Sequence, residues 1–456
     1  MQNFIKISLI ILIGSILSYA QDNPTRLKII GESLKGKVVD GQNVREVIGN
    51  VVITQEDVKI TCNKAVQYIS SNNAELIGNV VITQDSVVIK TDKGRYFGNI
   101  KLAFSDSTVN LTNKGMDLTA DKGNYNLNTK VANFFGNVLF KDSTTNLNSN
   151  KLVYKKKDEI IIAVGNVQVK DTSSIVKADS LIHSRITKFS EGFGKVAIEN
   201  PDNNLSIFGN YLWDNKEEKL SKISGNPFLI QIEKLNDGTY DTLFIKSKLM
   251  EARSDSGSSL FAIDSVKIVR GNFLSNNDYT IYNREKEQIT ILKQEEKKTP
   301  VLWYENSQIV GDSIYINLDS NKIKFVDIIK DAILISEDST YEFRYNQISG
   351  DTIHLSFDSG KLNQTKVRGS VLSIYYLYEE NEPNGLLKSS AKNITIEFEN
   401  SKVTDVKMFG TPISEYHPEN LVLNNEKSFT LPSFVIYADK PKKEEFKLKF
   451  AQQKFN

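Results

Sequence analysis

The chain has 456 residues, with 57 basic and 56 acidic side chains, a formal charge of +1 and one cysteine. So even a balance gathers neither nucleic acid nor an anionic membrane, and a lone cysteine excludes an internal disulfide framework. Few prolines among many Asn, Ser, Thr and Asp residues read as strands punctuated by polar turns. At the start, Met1–Ala20 combines an early Lys6, an apolar run from Ile7 to Leu17 and a small-x-small ending at Ser18-Tyr19-Ala20. This is the pattern of a secretory signal peptide. The run is too short to span a bilayer comfortably, and no later stretch approaches the roughly 20 apolar residues a transmembrane helix needs. Export is therefore expected, with no cysteine at the cleavage point to carry a lipid.

From Gly49 to Ile198 the sequence repeats every 29 residues without insertion or deletion. One column reads Val51, Val80, Val109, Val138, Val167 and Val196; two places on, a second reads Ile53, Ile82, Leu111, Phe140, Val169 and Ile198. The residues between them drift in character, so one side is kept apolar with a period of two, the mark of a strand. Polar residues follow at Gln55, Gln84, Asn113, Asp142, Asp171 and Asn200, where the chain is expected to turn. A returning apolar column holds Ile60, Ile89, Leu118, Leu147 and Val176, and two places further lie small residues, with Cys62 among Thr91, Ala120, Ser149 and Ala178. Cys62 therefore reads as a small core residue. Asn63, Asp92, Asp121, Asn150 and Asp179 come next and read as a corner. Past it, Gln67, Tyr96, Tyr125, Tyr154 and His183 stand at an odd interval from the small residues, which calls for a bend or bulge. Each unit closes at Gly49, Gly78, Gly136, Gly165 or Gly194, with Ser107 standing in once. Such a unit cannot bury its own apolar side, so units stack and share one core.

After residue 200 the strict period fails, although Ser224-Gly225-Asn226-Pro227 and Arg270-Gly271-Asn272 keep the turn. A looser repeat links Ile309–Ile316 to Ile348–Leu355, 39 residues on, each followed by a turn and a lysine-bearing strand. Gln294–Thr299 reads as a charged loop, Glu379–Gly385 as a polar turn interrupting the sheet, and the chain from Lys440 as a solvated tail with one last strand at Phe446–Phe450.

The recurring Gly-Asn-Val-x-Ile, followed by a strand ending in Ala/Thr-Asp-Lys-Gly-x-Tyr (Thr91–Tyr96, Ala120–Tyr125), resembles the OstA/LptA-type repeat over roughly residues 30–230. That resemblance implies an all-β fold, an elongated, stacked antiparallel β-jellyroll. Residues 1–20 would be the signal peptide, 21–230 the jellyroll repeat domain, 231–435 a divergent second β-repeat region and 436–456 a charged tail. It also implies a periplasmic protein, associated with the outer membrane through its partners, that passes lipopolysaccharide or another acylated lipid. The partners it implies are other jellyroll proteins joined by edge-strand pairing, an inner-membrane LptC-like one and an outer-membrane LptD-like one. Neither a cofactor nor nucleic acid is expected.

With that resemblance, the apolar rows read as an acyl-chain groove lined by Val51, Ile53, Ile60, Val80, Ile82, Ile89, Val109, Leu111, Leu118, Val138, Phe140, Leu147, Val167, Val169, Val176, Val196 and Ile198. Each CH₂ removed from water contributes about 0.8 kcal/mol, and equivalent rungs let a cargo slide. The same rows meeting in a closed, dry core are the competing reading. Lys64, Lys93, Lys122 and Lys151 form a further column beside the corner, read either as head-group contacts or as a solvated turn protecting an edge. No catalytic or metal site is legible: His183, His354 and His417 lie far apart, and no nucleophile elbow, Cys-x-x-Cys or phosphate loop occurs. A structural or adhesive exported β-solenoid without lipid is the alternative. A carbohydrate-active β-helix enzyme is a weaker one, because the carboxylates of the corner repeat where a catalytic pair would be singular.

Overall fold

The computed structural model describes residues 26–454 except 40, 236–237, 254–258, 296, 320–321, 339, 359 and 400–401. The expected signal peptide lies outside them. The described chain forms two compact units, one reaching to Lys114 and including Lys122–Lys130, the other made of Gly115–Asp121 and the chain from Val131 onward.

In the first unit, strands Gln42–Gln55, Val58–Tyr68, Asn73–Gln84 and Val87–Phe97 pair consecutively and antiparallel. Each strand crosses a corner and so serves two sheets. Between Ile77 and Val80 the chain inserts Gly78-Asn79 opposite the single Asp92, a two-against-one bulge. Gly78 and Asn79 both take positive φ, +74° and 47°, which Gly and Asn tolerate best. The bulge reverses side-chain parity. Along Val87–Phe97 the buried positions are Val87, Ile89 and Thr91 before the corner, then Gly94 and Tyr96 beyond it. The expected bend is therefore present, with its Asx column packed against the glycines. Where Ser107 replaces glycine the strand breaks into Leu102–Ser105 and Val109–Asn113, and the hydroxyls of Thr91, Ser105 and Ser107 knit the gap at 2.9–3.2 Å.

The second unit repeats the corner. Val131–Lys141 carries Gly136-Asn137 opposite Asp121 and Asn150, and Asn137 donates to Asp121 Oδ2 at 2.8 Å. A Cβ on Gly136 would stand 2.4 Å from that oxygen, so the position requires glycine twice over, for φ and for space. Beyond residue 200 the corners persist without the repeat's spelling. Asp264-Ser265 and Lys330-Asp331 take paired positive φ at the shifts facing Asp278 and Asp351. The looser 39-residue repeat is a register: Ile309 and Ile348 both flank Leu334, and Ile314 and Ile353 both flank Ile328.

Two expectations for the C-terminal part need correction. Glu379–Gly385 does not interrupt the sheet; Glu380-Asn381 turns a hairpin between Lys361–Glu379 and Glu382–Glu399, and Pro383 pairs with Tyr378 inside it. The expected strand Phe446–Phe450 is part of a helix, Lys443–Lys454, and the tail is not simply solvated, since Phe446 is buried against Phe228 and Phe244. The sheet beneath is apolar on its outer side as well, and that gives the tail a surface to cover.

Candidate functional site: the inner row and its seam

The two sheets of each unit face one another across their apolar sides, joined at the corner by the chain itself. In the first unit the inner row runs Ile53, Ile60, Ile82, Ile89, Leu111 through direct cross-strand pairing. In the second it runs Leu118, Phe140, Leu147, Val169, Val176, Ile198, and continues through Ile207, Leu229, Ile245 and Ile268. The predicted inward residues thus fall in one row on each unit, with Val51, Val80, Val109, Val138, Val167 and Val196 one step nearer the corner. The continuation past Ile198 escaped the sequence reading because the repeat loses its length there. A signal remained, since Ile207 and Leu229 are separated by the same interval as Ile60 and Ile82.

Opposite the corner the sheets must meet again, and here the polar column divides. In the first unit Gln55 and Gln84 precede the turns Glu56-Asp57 and Asp85-Ser86 as expected, but their side chains are buried and reach across to the other sheet. Tyr96 Oη donates to Gln55 Oε1 at 2.6 Å and Tyr125 Oη to Gln84 Oε1 at 3.3 Å, while the amide nitrogens donate to the carbonyls of Gly98 and Leu127. Burial is the main cause holding the Tyr96 hydroxyl well above the ordinary tyrosine range, so it stays a donor. Both clasps span 41 residues, an interval visible in the sequence as two columns keeping step. In the second unit Asp142, Asp171 and Asn200 behave as the sequence suggests. Asp142 Oδ1 accepts from the Thr144 and Thr145 N–H groups, Asp171 Oδ1 from Ser173 and Ser174, and Asn200 Oδ1 from Asn203. Their shorter side chains close their own turns.

The facing row changes character over the same strands. Where Tyr154 and Ile161 stand buried, His183, Ser190, Asp214 and Ser221 follow in cross-strand register, all half-buried. His183 Nδ1 lies 3.0 Å from Ser190 Oγ, and Ser221 Oγ donates to Asp214 Oδ1 at 2.6 Å. Burial, reinforced by Lys188, Lys216 and Arg185 and opposed by Asp142, pushes the imidazole down to about 4, whereas burial raises the Asp214 carboxyl. Across from this polar stretch, Val169, Val176 and Ile198 are half-buried, unlike their fully buried counterparts Ile53, Ile60 and Leu111. A clasp of the first kind returns at Tyr282, whose hydroxyl donates to Gln231 Oε1 at 2.8 Å.

The lysine column lies at the corner, away from the seam. Lys93, Lys122 and Lys151 are exposed, Lys64 pairs with Glu46, and Lys151 rests over the Phe135 ring at 5.5 Å. Among the described residues no group of three or more His, Cys, Asp or Glu side chains is placed to hold a metal ion, and no helix is long and apolar enough to cross a membrane.

Residues 30–157 match the family model described as OstA-like protein. Among solved structures, the chain is similar to LptH from Pseudomonas aeruginosa, described as the LptA homologous periplasmic component of the conserved lipopolysaccharide transport device. The alignment has 16% identity, covers 30% of this chain and 82% of that one, and has a TM-score of 0.16. No curated protein matches the chain.

Proposed function

We propose, from the premise that residues 30–157 are OstA-like, that the protein binds lipopolysaccharide by its acyl chains between the two sheets and passes it along the inner row, as one member of a periplasmic bridge to the outer membrane. The observation that carries this reading is the mismatch between row and seam. From Val131–Lys141 to Leu205–Asn215 the inner row stays apolar while the side chains that would clasp it shut are turned to other partners. Half-buried Val169, Val176 and Ile198 then offer acyl chains a place to leave water, at about 0.8 kcal/mol for each CH₂ buried. The rungs on either side are chemically alike, so a chain moving along them meets no deep trap. The half-buried polar stretch of His183, Ser190 and Asp214 on the same strands suits the wet, sugar-bearing part of such a lipid. Partners would be jellyroll proteins resembling LptC and LptD that add strands at exposed sheet edges.

The test is native mass spectrometry with lipid extraction on protein purified from its envelope, beside Val176→Asp. Lipopolysaccharide or another acylated lipid should accompany the parent protein and be lost from the variant, whose circular dichroism stays unchanged. A parent protein that is lipid-free and does not bind added lipopolysaccharide would leave the structural β-array as the better account.

A further inference from the structure

The second unit has another apolar face. On the outer side of the sheet that carries Leu229, Ile245 and Leu302 inward, Phe228, Ile230, Phe244, Leu274, Trp303 and Ile333 form a cluster separate from the inner one. An apolar surface of this extent marks an interaction site. Here the occupant is the chain's own C-terminal segment, which buries Val422, Leu431 and Phe446 against it and packs Phe429, Phe434, Tyr437 and Phe450 around them.

The manner of attachment is the informative part. Residues 429–439 form neither helix nor strand. They are held by amides that rise from the sheet. Gln347 Nε2 donates to the Phe429 carbonyl at 3.0 Å, and its Oε1 accepts from the Leu431 N–H at 2.8 Å. Gln308 repeats the grip, donating to the Val435 carbonyl at 2.7 Å and accepting from the Tyr437 N–H at 2.8 Å. Asn276 Nδ2 donates to Asp439 Oδ2 at 2.7 Å. Each glutamine takes the C=O of one residue and the N–H two residues on, leaving Thr430 and Ile436 between them exposed. Three buried amides on an apolar face would be costly without such partners, and the partners they have are chiefly main chain. That is how a groove for an extended polypeptide reads its ligand, by backbone for affinity and by pockets for large side chains.

The inner core does not depend on this segment, since its cluster contains nothing C-terminal to Met408. Upstream, buried Arg344 holds Glu419 at 2.6 Å and Glu426 at 3.5 Å on either side of exposed Asn424 and Asn425, with Val422 buried between them.

We infer that the outer face of the second unit is a polypeptide-binding groove, occupied in cis by residues 429–439, and that the partner it fits is a second copy of this chain donating the same segment. The ligand class is an extended peptide with large apolar side chains spaced as Phe429, Leu431, Phe434 and Tyr437. A second copy carries that pattern, and exchange of an identical element preserves every contact. Tethering raises the local concentration of the cis segment, so exchange requires release at the Arg344 anchor.

The experiment uses the full chain with a specific protease site in place of Leu423–Asn425, cut after folding, and a labelled peptide spanning residues 426–450. The cut protein should exchange its segment for the peptide at least tenfold faster than the uncut protein does. Gln308→Ala with Gln347→Ala should weaken capture about tenfold or more. Two uncut chains bearing different tags should form mixed dimers when incubated together at high concentration. A cut segment that stays bound and never exchanges in folded protein makes it a permanent part of the fold and overturns the groove. Peptide capture without mixed dimers overturns the second copy as partner.

Discussion

The two units close the same repeat differently. In the first, Tyr96 and Tyr125 reach across to Gln55 and Gln84 and the inner row is sealed. In the second, the same column holds Asp142, Asp171 and Asn200, whose oxygens are taken by neighbouring N–H groups, and of the inner row Val169, Val176 and Ile198 are only half-buried while Phe140 and Leu147 stay buried. The longer Gln side chains clasp the far sheet, while Asp142, Asp171 and Asn200 cap their own turns and buried Asn113 accepts from Ser86 Oγ at 2.7 Å. A periodic backbone can therefore carry a function that is local, placed wherever one column changes residue type.

The sharpest way to break this comparison is to place a charge in both rows. Ile82→Asp in the sealed row should cost about 3–5 kcal/mol, as an unpaired buried charge does, while Val176→Asp should cost about 1 kcal/mol because water already reaches it. Equal losses in denaturant melts would remove the distinction between the rows. Next in size is the corner. Gly136→Ala should destabilise by about 2 kcal/mol more than Gly115→Ala, since both glycines have positive φ but Gly115 has open space around it and Gly136 meets Asp121. Tyr125→Phe should cost about 1–2 kcal/mol by leaving a buried Gln84 oxygen without its hydroxyl donor.

A further effect, confined to acid pH, is in the seam of the second unit. His183 is held neutral, its pKa lowered from 6.5 to about 4, so between those values the unfolded chain binds a proton that the folded one refuses. Its contribution is complete above pH 6.5 and is lost as the pH falls toward 4. His183→Gln should flatten the stability profile across that window, and a slope that persists would assign the pH dependence to other groups.

Much of the fold was legible because its causes are local. The Asx column, the glycines and the parity change at Tyr96 each follow from backbone sterics at one corner, and all three stand in the sequence. The clasp was less legible: Gln55 and Gln84 have the composition of a turn, and only their constant interval to Tyr96 and Tyr125 betrays the contact. The second unit's later corners were hidden because Asp264-Ser265 and Lys330-Asp331 reach positive φ without glycine. The C-terminal segment misled for another reason. Its charged spelling ends in Glu444-Glu445, the exposed first turn of a helix whose Phe446 is fixed by a surface formed far away in sequence.

The central claim, that acyl chains lie on the inner row of the second unit, is tested most directly by photo-cross-linking within one strand. A benzophenone amino acid placed at Val176 points inward, and one at its neighbour Lys177 points outward. The account predicts lipopolysaccharide adducts from position 176 and none from position 177 in intact cells. Equal adducts at both positions, or none at 176 in a folded protein, would contradict it.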